Sequence, residues 1–123
     1  MENTVLEKFH QGRQSLGTFS AIGSPLAVES LRYTGLDYVI VDTEHSPAGI
    51  ESAAAQIAAA QGAGLTALAR ANEISRTAVL RLLDVGAQGV VVPCVETVEE
   101  VRELVRYAKF APLGNRGFCP TRD

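Results

Sequence analysis

Short apolar segments alternate with longer amphipathic segments along the whole chain. The apolar segments cover residues 16–20, 38–41, 65–70 and 89–93. The second contains the β-branched run Val39-Ile40-Val41, which is typical of a strand buried on both faces, as in parallel sheets. Proline at the exit of the fourth segment, Pro93, is compatible with a strand because no ladder donor is needed there. The pattern predicts four strands that begin about 25 residues apart.

Helical periodicity precedes the first predicted strand and follows each of the four. A leading helix is predicted over residues 4–13, with Gly12 near its end. The second helix carries Leu26, Ala27, Leu31 and Tyr33 and closes at Gly35. The predicted start signals of the helices that follow the strands are Ser24-Pro25, Ser46-Pro47, Ser75 and a capping box of Thr97 with Glu100.

The two longest helical patterns after the second strand have distinct apolar faces. The third helix is predicted from Pro47 to about Gln61 and presents Ile50, Ala54, Ile57 and Ala58 on one face. The stripe of the last helix consists of Val98, Val101, Leu104, Val105 and Ala108. The third helix is so rich in alanine that it is expected to pack close to the sheet.

Four successive strand–helix units predict a parallel sheet with right-handed crossovers. No Gly-x-Gly-x-x-Gly follows the first strand and no phosphate-binding loop is present, so nucleotide binding has no positive signal. A complete (β/α)₈ barrel needs about 250 residues, whereas the chain has 123. We therefore expect residues 1–123 to form a single α/β unit, the first four βα units of a (β/α)₈ barrel preceded by a short helix.

Composition narrows the partners and the compartment. The net charge of −3 and the pI near 5.4 argue against nucleic acid or an anionic membrane as the main partner. No apolar run approaches the roughly 20 residues of a membrane span, and the start of the chain lacks a signal-peptide pattern, which makes a cytoplasmic location the expectation. Cys94 and Cys119 fit no metal-ligand spacing and are expected to stay reduced.

Candidate chemistry lies at the exits of the second and third strands. Asp42, Glu44 and His45 follow one strand directly, and Arg70 ends the next. Strand exits are where parallel α/β folds usually place catalytic groups. His45 is a candidate base or holder of a catalytic water, and Arg70 has a planar fork suited to a carboxylate or an enolate oxygen. A purely structural alternative remains open: the two carboxylates face a helix N-terminus, or Arg70 pairs with Asp42 or Glu44. For Arg70, pairing and substrate binding are compatible.

Four motifs resemble the HpcH/HpaI aldolase/citrate lyase family. They lie at residues 35–45 (GLDYVIVDTEH), 82–88 (LLDVGAQ), 92–97 (VPCVET) and 112–117 (PLGNRG). The resemblance covers nearly the whole chain, and the order and separation of the motifs make it specific. It implies class II, metal-dependent aldolases that make or break a carbon–carbon bond next to pyruvate, on (β/α)₈ barrels that assemble as hexamers.

The resemblance also implies roles for individual residues. His45 occupies the position of the family's catalytic histidine, and Arg70 that of the arginine that contacts the pyruvate oxygens. Asp42 is expected to orient one of these groups, with Glu44 beside the substrate. Asp84 matches an aspartate that pairs with the catalytic histidine in the family, although its predicted place at the end of a helix, away from the strand exits, leaves a local or interface role equally open.

Further expectations concern the surroundings of the site, the metal and the partners. Glu96 either lines the mouth of the site or only precedes the cap at Thr97, and the loop with Arg116-Gly117 either closes over the site or is solvated. The family holds a divalent metal (Mg, Mn or Co) through a glutamate and an aspartate on later strands, so no metal ligand is assigned in this chain. The expected partners are small 2-oxo acids, aldehydes and further copies of the protein.

Three functions remain open from the sequence. The leading expectation is a metal-dependent aldolase that cleaves or forms 4-hydroxy-2-oxo acids, with pyruvate and an aldehyde as the other components. The second is a citrate-forming or other carbon–carbon lyase or synthase of the same superfamily, with the choice set by Thr43, Ser46 and the final loop. The third is a non-catalytic half-barrel that serves as an interaction module.

Overall fold

The four predicted strands form one parallel sheet. The computed structural model describes residues 2–119 of the chain and contains β1 (Gly17–Ser20), β2 (Tyr38–Asp42), β3 (Thr66–Arg70) and β4 (Gly89–Val91). The strands lie side by side in chain order, and each pairs in parallel with the next. The predicted strand order and the α/β class are confirmed.

The predicted helices are also present, with shifted boundaries. They are α1 (Thr4–His10), α2 (Pro25–Ser30), α3 (Ile50–Gly62), α4 (Arg76–Asp84) and α5 (Val98–Ala108), with a 3₁₀ turn at Leu31–Tyr33 after α2. The side chains of Asn3, Ser24, Ser75 and Thr97 each accept a hydrogen bond from a backbone N–H of the first turn. The capping box of Thr97 with Glu100 is formed as predicted.

The predicted start of α3 at Ser46-Pro47 is wrong. The Ser46 hydroxyl donates to the carbonyl oxygen of Asp42 and accepts from the Ala48 amide at 3.1 Å, so it is used inside the loop. The helix begins three residues after Pro47, at Ile50, with Gly49 as its N-cap residue. The loop that carries Glu44 and His45 therefore spans residues 43–49 and is longer than expected.

The core lies between the sheet and α3. Val39, Val41, Ala67 and Ala69 of the two central strands are fully buried there. The predicted face of α3 is partly wrong, because Ala58 is exposed and the buried positions are Ala53, Gln56, Ile57 and Ala60. Gln56 is buried because its amide is satisfied: its Oε1 accepts from the Ser20 hydroxyl at 2.8 Å.

Helix α1 is fastened near the amino ends of the strands. Asp37, just before β2, accepts from Lys8 Nζ on α1 at 2.8 Å and from the Leu16 amide at 2.9 Å. The bond from Lys8 is the main reason that the pKa of the Asp37 carboxyl lies below its usual range. The candidate site lies at the opposite end of the sheet, at the carboxyl ends of the strands.

The side of the sheet beyond β4 is less well packed. No residue of α5 is buried, and Val98, Val101 and Val105 expose about half of their surface (60%, 48% and 48%). A cavity of about 580 Å³ separates this helix from β4 and α4. Within residues 2–119, no helix is both long enough and apolar enough to cross a membrane.

Candidate active site

The carboxyl ends of β2 and β3 bring Asp42 and Arg70 together. The two residues are partners in the strand register. Arg70 Nε donates to Asp42 Oδ1 at 3.0 Å, and Arg70 Nη2 donates to Oδ2 at 2.6 Å. This two-pronged geometry is the strong form of an arginine–carboxylate contact. The ion pair that the sequence left open as an alternative is therefore formed.

Asp42 also organises the loop that follows it. Its side chain is 3% exposed, and Oδ1 accepts from the Glu44 amide at 2.9 Å and from the His45 amide at 3.2 Å. The hydrogen bonds from Arg70 outweigh burial and lower the pKa of Asp42 from 3.8 to about 2. Both oxygens of this carboxylate are occupied, so Asp42 is suited to hold its neighbours in place.

Glu44 and His45 complete a cluster of four polar side chains. Glu44 Oε2 lies 3.3 Å from Arg70 Nε, and Oε1 lies 3.6 Å from His45 Nε2. The buried Oε2 atom has no hydrogen-bond partner within residues 2–119. The His45 side chain is 69% exposed, whereas that of Glu44 is 18% exposed. The imidazole therefore faces solvent, next to the partly buried Glu44 and the buried Asp42.

The Arg70 guanidinium is held on a second side by an aromatic ring. Its Cζ lies 4.7 Å from the centre of the Phe19 ring on β1. Asp42 raises the pKa of Arg70, mainly through their hydrogen bonds. Among the described residues, Nη1 donates no hydrogen bond, so this edge of the fork is free for an anionic ligand. Sequence reasoning missed Phe19; an aromatic side chain near the end of the adjacent strand was the available signal.

Asp84 does not join this cluster. It ends α4, and its Oδ1 accepts from Arg116 Nη2 at 2.8 Å. Arg116 also lies over the Phe110 ring, with 4.8 Å between Cζ and the ring centre. The loop with Arg116 and Gly117 is thus packed beside α4 in this structure. Glu96 lies in the exposed β4–α5 loop, where its amide donates to Glu100.

The described residues do not fit a divalent-cation site. Asp42 uses both oxygens for Arg70 and the loop amides. In residues 2–119, no group of three or more histidine, cysteine, aspartate or glutamate side chains is arranged to hold a metal ion. Within residues 2–119, Cys94 and Cys119 form no disulfide, and both are exposed.

Comparison with protein-family models gives one match that covers most of the chain. The model described as HpcH/HpaI aldolase/citrate lyase matches residues 15–121. The chain belongs to this family. The matched segment contains Asp42, Glu44, His45 and Arg70, and the resemblance found in the sequence is confirmed.

Several curated relatives of this HpcH/HpaI chain are named as aldolases. A hydroxypyruvate/pyruvate aldolase from Roseovarius nubinhibens is 34% identical over 115 residues, which are 94% of this chain and 45% of that protein. A 4-hydroxy-2-oxo-heptane-1,7-dioate aldolase from Escherichia coli is 31% identical over 117 residues, or 95% of this chain and 45% of that protein. The chain therefore spans about half the length of the relatives it matches.

Solved structures that resemble this HpcH/HpaI chain have the same fold. The HpcH/HpaI aldolase from Desulfitobacterium hafniense DCB-2 is 37% identical with a TM-score of 0.86, covering 94% of this chain and 45% of its own. The citrate synthase SbnG is 31% identical with a TM-score of 0.85, covering 94% of this chain and 47% of its own. The expectation that the chain corresponds to the first half of the family barrel is confirmed.

Proposed function

We propose that this chain supplies the 2-oxo acid site and the base of an aldolase that cleaves 4-hydroxy-2-oxo acids to pyruvate and an aldehyde, or joins them. The observation that carries the proposal is the Asp42–Arg70 pair at the strand exits, with one guanidinium edge free and an exposed imidazole beside it. The named activities of the aldolases described above support it.

Arg70 is proposed to bind the substrate through its free edge. When the bond between C3 and C4 breaks, its electron pair moves into the 2-oxo group and gives an enolate oxygen. A guanidinium that is already oriented stabilises this developing negative charge without having to reorganise. Asp42 and Phe19 hold the guanidinium from two sides, so the required orientation exists before substrate arrives.

His45 is proposed to take the proton of the 4-hydroxyl group. Loss of that proton turns the C4–O bond into the carbonyl of the leaving aldehyde, and protonation of the enolate at C3 then gives pyruvate. An imidazole is suited to this exchange because it ordinarily titrates near neutral pH. Its exposure places it where a substrate can reach it.

The family resemblance implies that a divalent cation stabilises the enolate in the protein at its natural length. Since the described residues form no site for it, no step here is derived through a metal. The chemistry assigned to this chain is binding by Arg70, orientation by Asp42 and Glu44, and proton transfer by His45. Asp84 has no assigned step within one copy of the chain.

The proposal is tested by measuring pyruvate release from a 4-hydroxy-2-oxo acid by the protein at its natural length. His45→Ala and Arg70→Ala should each lower turnover at least about 100-fold, since general acid–base work and charge stabilisation are each worth that much. Matched controls are His10→Ala on α1 and Arg76→Ala at the start of α4, both outside the cluster. Near-normal rates for His45→Ala and Arg70→Ala, with loss of activity in Arg76→Ala, would contradict the placement of the site.

Citrate formation is a second candidate because the citrate synthase SbnG shares the fold at 31% identity. The same arginine would then bind a 2-oxo dicarboxylic acid, and the new carbon–carbon bond would form at its carbonyl carbon. An assay with oxaloacetate and an acyl thioester decides between the two. Condensation without pyruvate release would favour the citrate-forming reaction.

A further inference from the structure

The hydrogen bonding between β2 and β3 continues one residue past the end of β2. The Thr43 amide donates to the carbonyl oxygen of Arg70 at 3.2 Å, and the Thr43 hydroxyl donates to the same oxygen at 2.6 Å. A carbonyl oxygen has two lone pairs, so both acceptor positions of Arg70 are filled by one residue.

Arg70 is consequently held at both of its ends. Asp42 fixes the guanidinium, and Thr43 fixes the main-chain carbonyl that is attached to the same Cα atom. Asp42 and Thr43 are consecutive, so two adjacent residues hold both ends of Arg70. We call this pair of contacts the clamp on Arg70. A long side chain is aimed accurately only when its backbone origin is fixed as well as its tip.

The loop around Thr43 is itself closed by hydrogen bonds. The Ser46 hydroxyl donates to the Asp42 carbonyl, and the Asp42 carboxylate accepts from the amides of Glu44 and His45. Behind Thr43 lies a cavity of about 250 Å³ between this loop and α4. The Thr43 side chain therefore borders open space on one side and the Arg70 carbonyl on the other.

We propose that Thr43 is a positioning residue for Arg70, acting through the hydroxyl bond to the Arg70 carbonyl. Its effect on turnover rests on the proposed function, whereas its effect on the Arg70 conformation does not. Only the hydroxyl group of Thr43 is assigned this function. Substitutions that keep or remove the hydroxyl therefore separate positioning of Arg70 from a contribution to stability alone.

Thr43→Val preserves the shape of the side chain and removes the hydroxyl, whereas Thr43→Ser keeps it. We expect Thr43→Val to lower kcat/KM for the 4-hydroxy-2-oxo acid about tenfold, and Thr43→Ser to stay within about twofold of wild type. A role in stability alone would lower Tm in Thr43→Val and leave kcat/KM, measured well below Tm, unchanged. That result would overturn the proposal.

Thr34→Val is the matched control. The Thr34 hydroxyl also donates to a backbone carbonyl at 2.6 Å, that of Leu31, in the turn that follows α2. Its loss should leave kcat/KM unchanged. In an Arg70→Lys background, Thr43→Val should cause no further loss, because the guanidinium it positions is gone. Equal losses in the two backgrounds would contradict the assignment.

Structure determination of the variants gives a readout that does not need activity. In Thr43→Val, or in Thr43→Ala should the valine variant fail to fold, the Arg70 guanidinium should leave Asp42 or occupy two positions, and in Thr43→Ser it should stay. An unchanged Arg70 in the variants without the hydroxyl would overturn the proposal. If wild type shows no lyase activity, the proposed function fails, and the Arg70 positions still decide the role of Thr43.

Discussion

At the scale of single residues, Asp42 has the largest number of tasks. One carboxylate pairs with Arg70 and accepts two amides of the loop that carries Glu44 and His45. Because it is buried and ionised, its removal affects folding as well as the site. This coupling gives a measurable dependence of stability on pH.

The pKa of Asp42 is about 2 in the folded chain, against 3.8 for an unperturbed carboxyl. Above about pH 4 the folded state has the full benefit of the ionised pair; as the pH falls from 4 toward 2, the unfolded chain takes up the proton first and stability is lost. The shift corresponds to about 2 kcal/mol. In urea unfolding of the protein at its natural length, Asp42→Asn should lose about that much at pH 7 and show a flatter acid limb.

Asp84→Asn is the control for that measurement. The Asp84 side chain is 42% exposed and pairs with Arg116 near the surface, so its removal should cost less than about 1 kcal/mol. Equal losses for the two variants at pH 7, or an unchanged acid limb in Asp42→Asn, would show that burial of the Asp42–Arg70 pair has no effect on stability.

The sequence predicts which side chains lie close together where the pairing of two strands determines this. The proximity of Asp42 and Arg70 follows from two parallel strands with polar exits, and it was predicted as one of two compatible arrangements. The contact of Phe19 with Arg70 depends on which face of β1 points inward, and a strand of four residues has too little alternation to show this. For Asp84 the sequence left two roles open, pairing with the catalytic histidine by resemblance or a local role at the helix end, and in one copy of the chain it pairs with Arg116 at the end of α4.

At the scale of elements, the capping residues were good predictors and the start of α3 was not. Ser75 and the pair Thr97 and Glu100 bond the backbone N–H groups of their own helices. Ser46 has the same local signature, but a tertiary partner, the Asp42 carbonyl, uses its hydroxyl. A cap signal read from neighbouring residues does not show that the folded loop brings the Asp42 carbonyl within reach of the Ser46 hydroxyl.

The buried face of α3 shows the same limit. Most of the positions of this helix are alanine or glutamine, so hydrophobicity alone does not rank them. Burial of Gln56 depends on the Ser20 hydroxyl across the core, which no helical periodicity can show. The face was therefore assigned from Ile50 and Ile57, and it is rotated in the structure.

Two glycines at helix ends give a prediction at this scale. Gly86 follows α4 with φ of 102°, whereas Gly62 is the last residue of α3 and has open space, with no atom within 4 Å, where a Cβ would lie. Gly86→Ala should lower the free energy of unfolding by roughly 1–2 kcal/mol, because an L-residue is strained at this φ. Gly62→Ala should be neutral or stabilising by about 0.5–1 kcal/mol. Urea denaturation of both variants checks this, and equal effects would show that backbone conformation does not distinguish the two sites.

At the scale of the whole molecule, the half-barrel leaves two edges of its sheet open. The outer edges of β1 and β4 pair with no strand among the described residues, and α5 exposes Val101 and Val105 beside the cavity next to β4. Unpaired strand edges next to apolar surface favour association with another chain.

We therefore expect residues 1–123, expressed alone, either to associate with another copy or with a complementary half, or to form a loosely packed species. Light scattering and thermal melting measure this. Replacement of Val101 by glutamate together with Val105 by lysine should reduce self-association, and Arg102→Glu on the outer side of α5 should not. A monodisperse, cooperatively melting monomer would contradict the expectation.

The same preparation tests the assignment of the metal. Residues 1–123 alone should bind manganese or magnesium weakly and should release no pyruvate, because the described residues form no cation site. Metal-dependent cleavage of the substrate by residues 1–123 alone would mean that Asp42 and Glu44 hold the cation. The mass of the protein in the cell separates an enzyme from an interaction module. A mass of about 27 kDa fits a complete barrel, and 13.1 kDa fits an interaction module.

The sequential strand order has a consequence for how the protein is made. Every strand pairs with its neighbour along the chain, so each pairing closes only one strand–helix–strand unit, which limits the loop-closure entropy. Asp42, Thr43 and Arg70 all lie in the β2–β3 unit, which is synthesised within roughly the first third of a barrel-length chain. At about 5–20 residues per second, the segment that carries the clamp on Arg70 is complete seconds before the second half of such a barrel is synthesised. All the residues of the clamp on Arg70 are therefore present in the growing chain before the remaining strands of such a barrel are added.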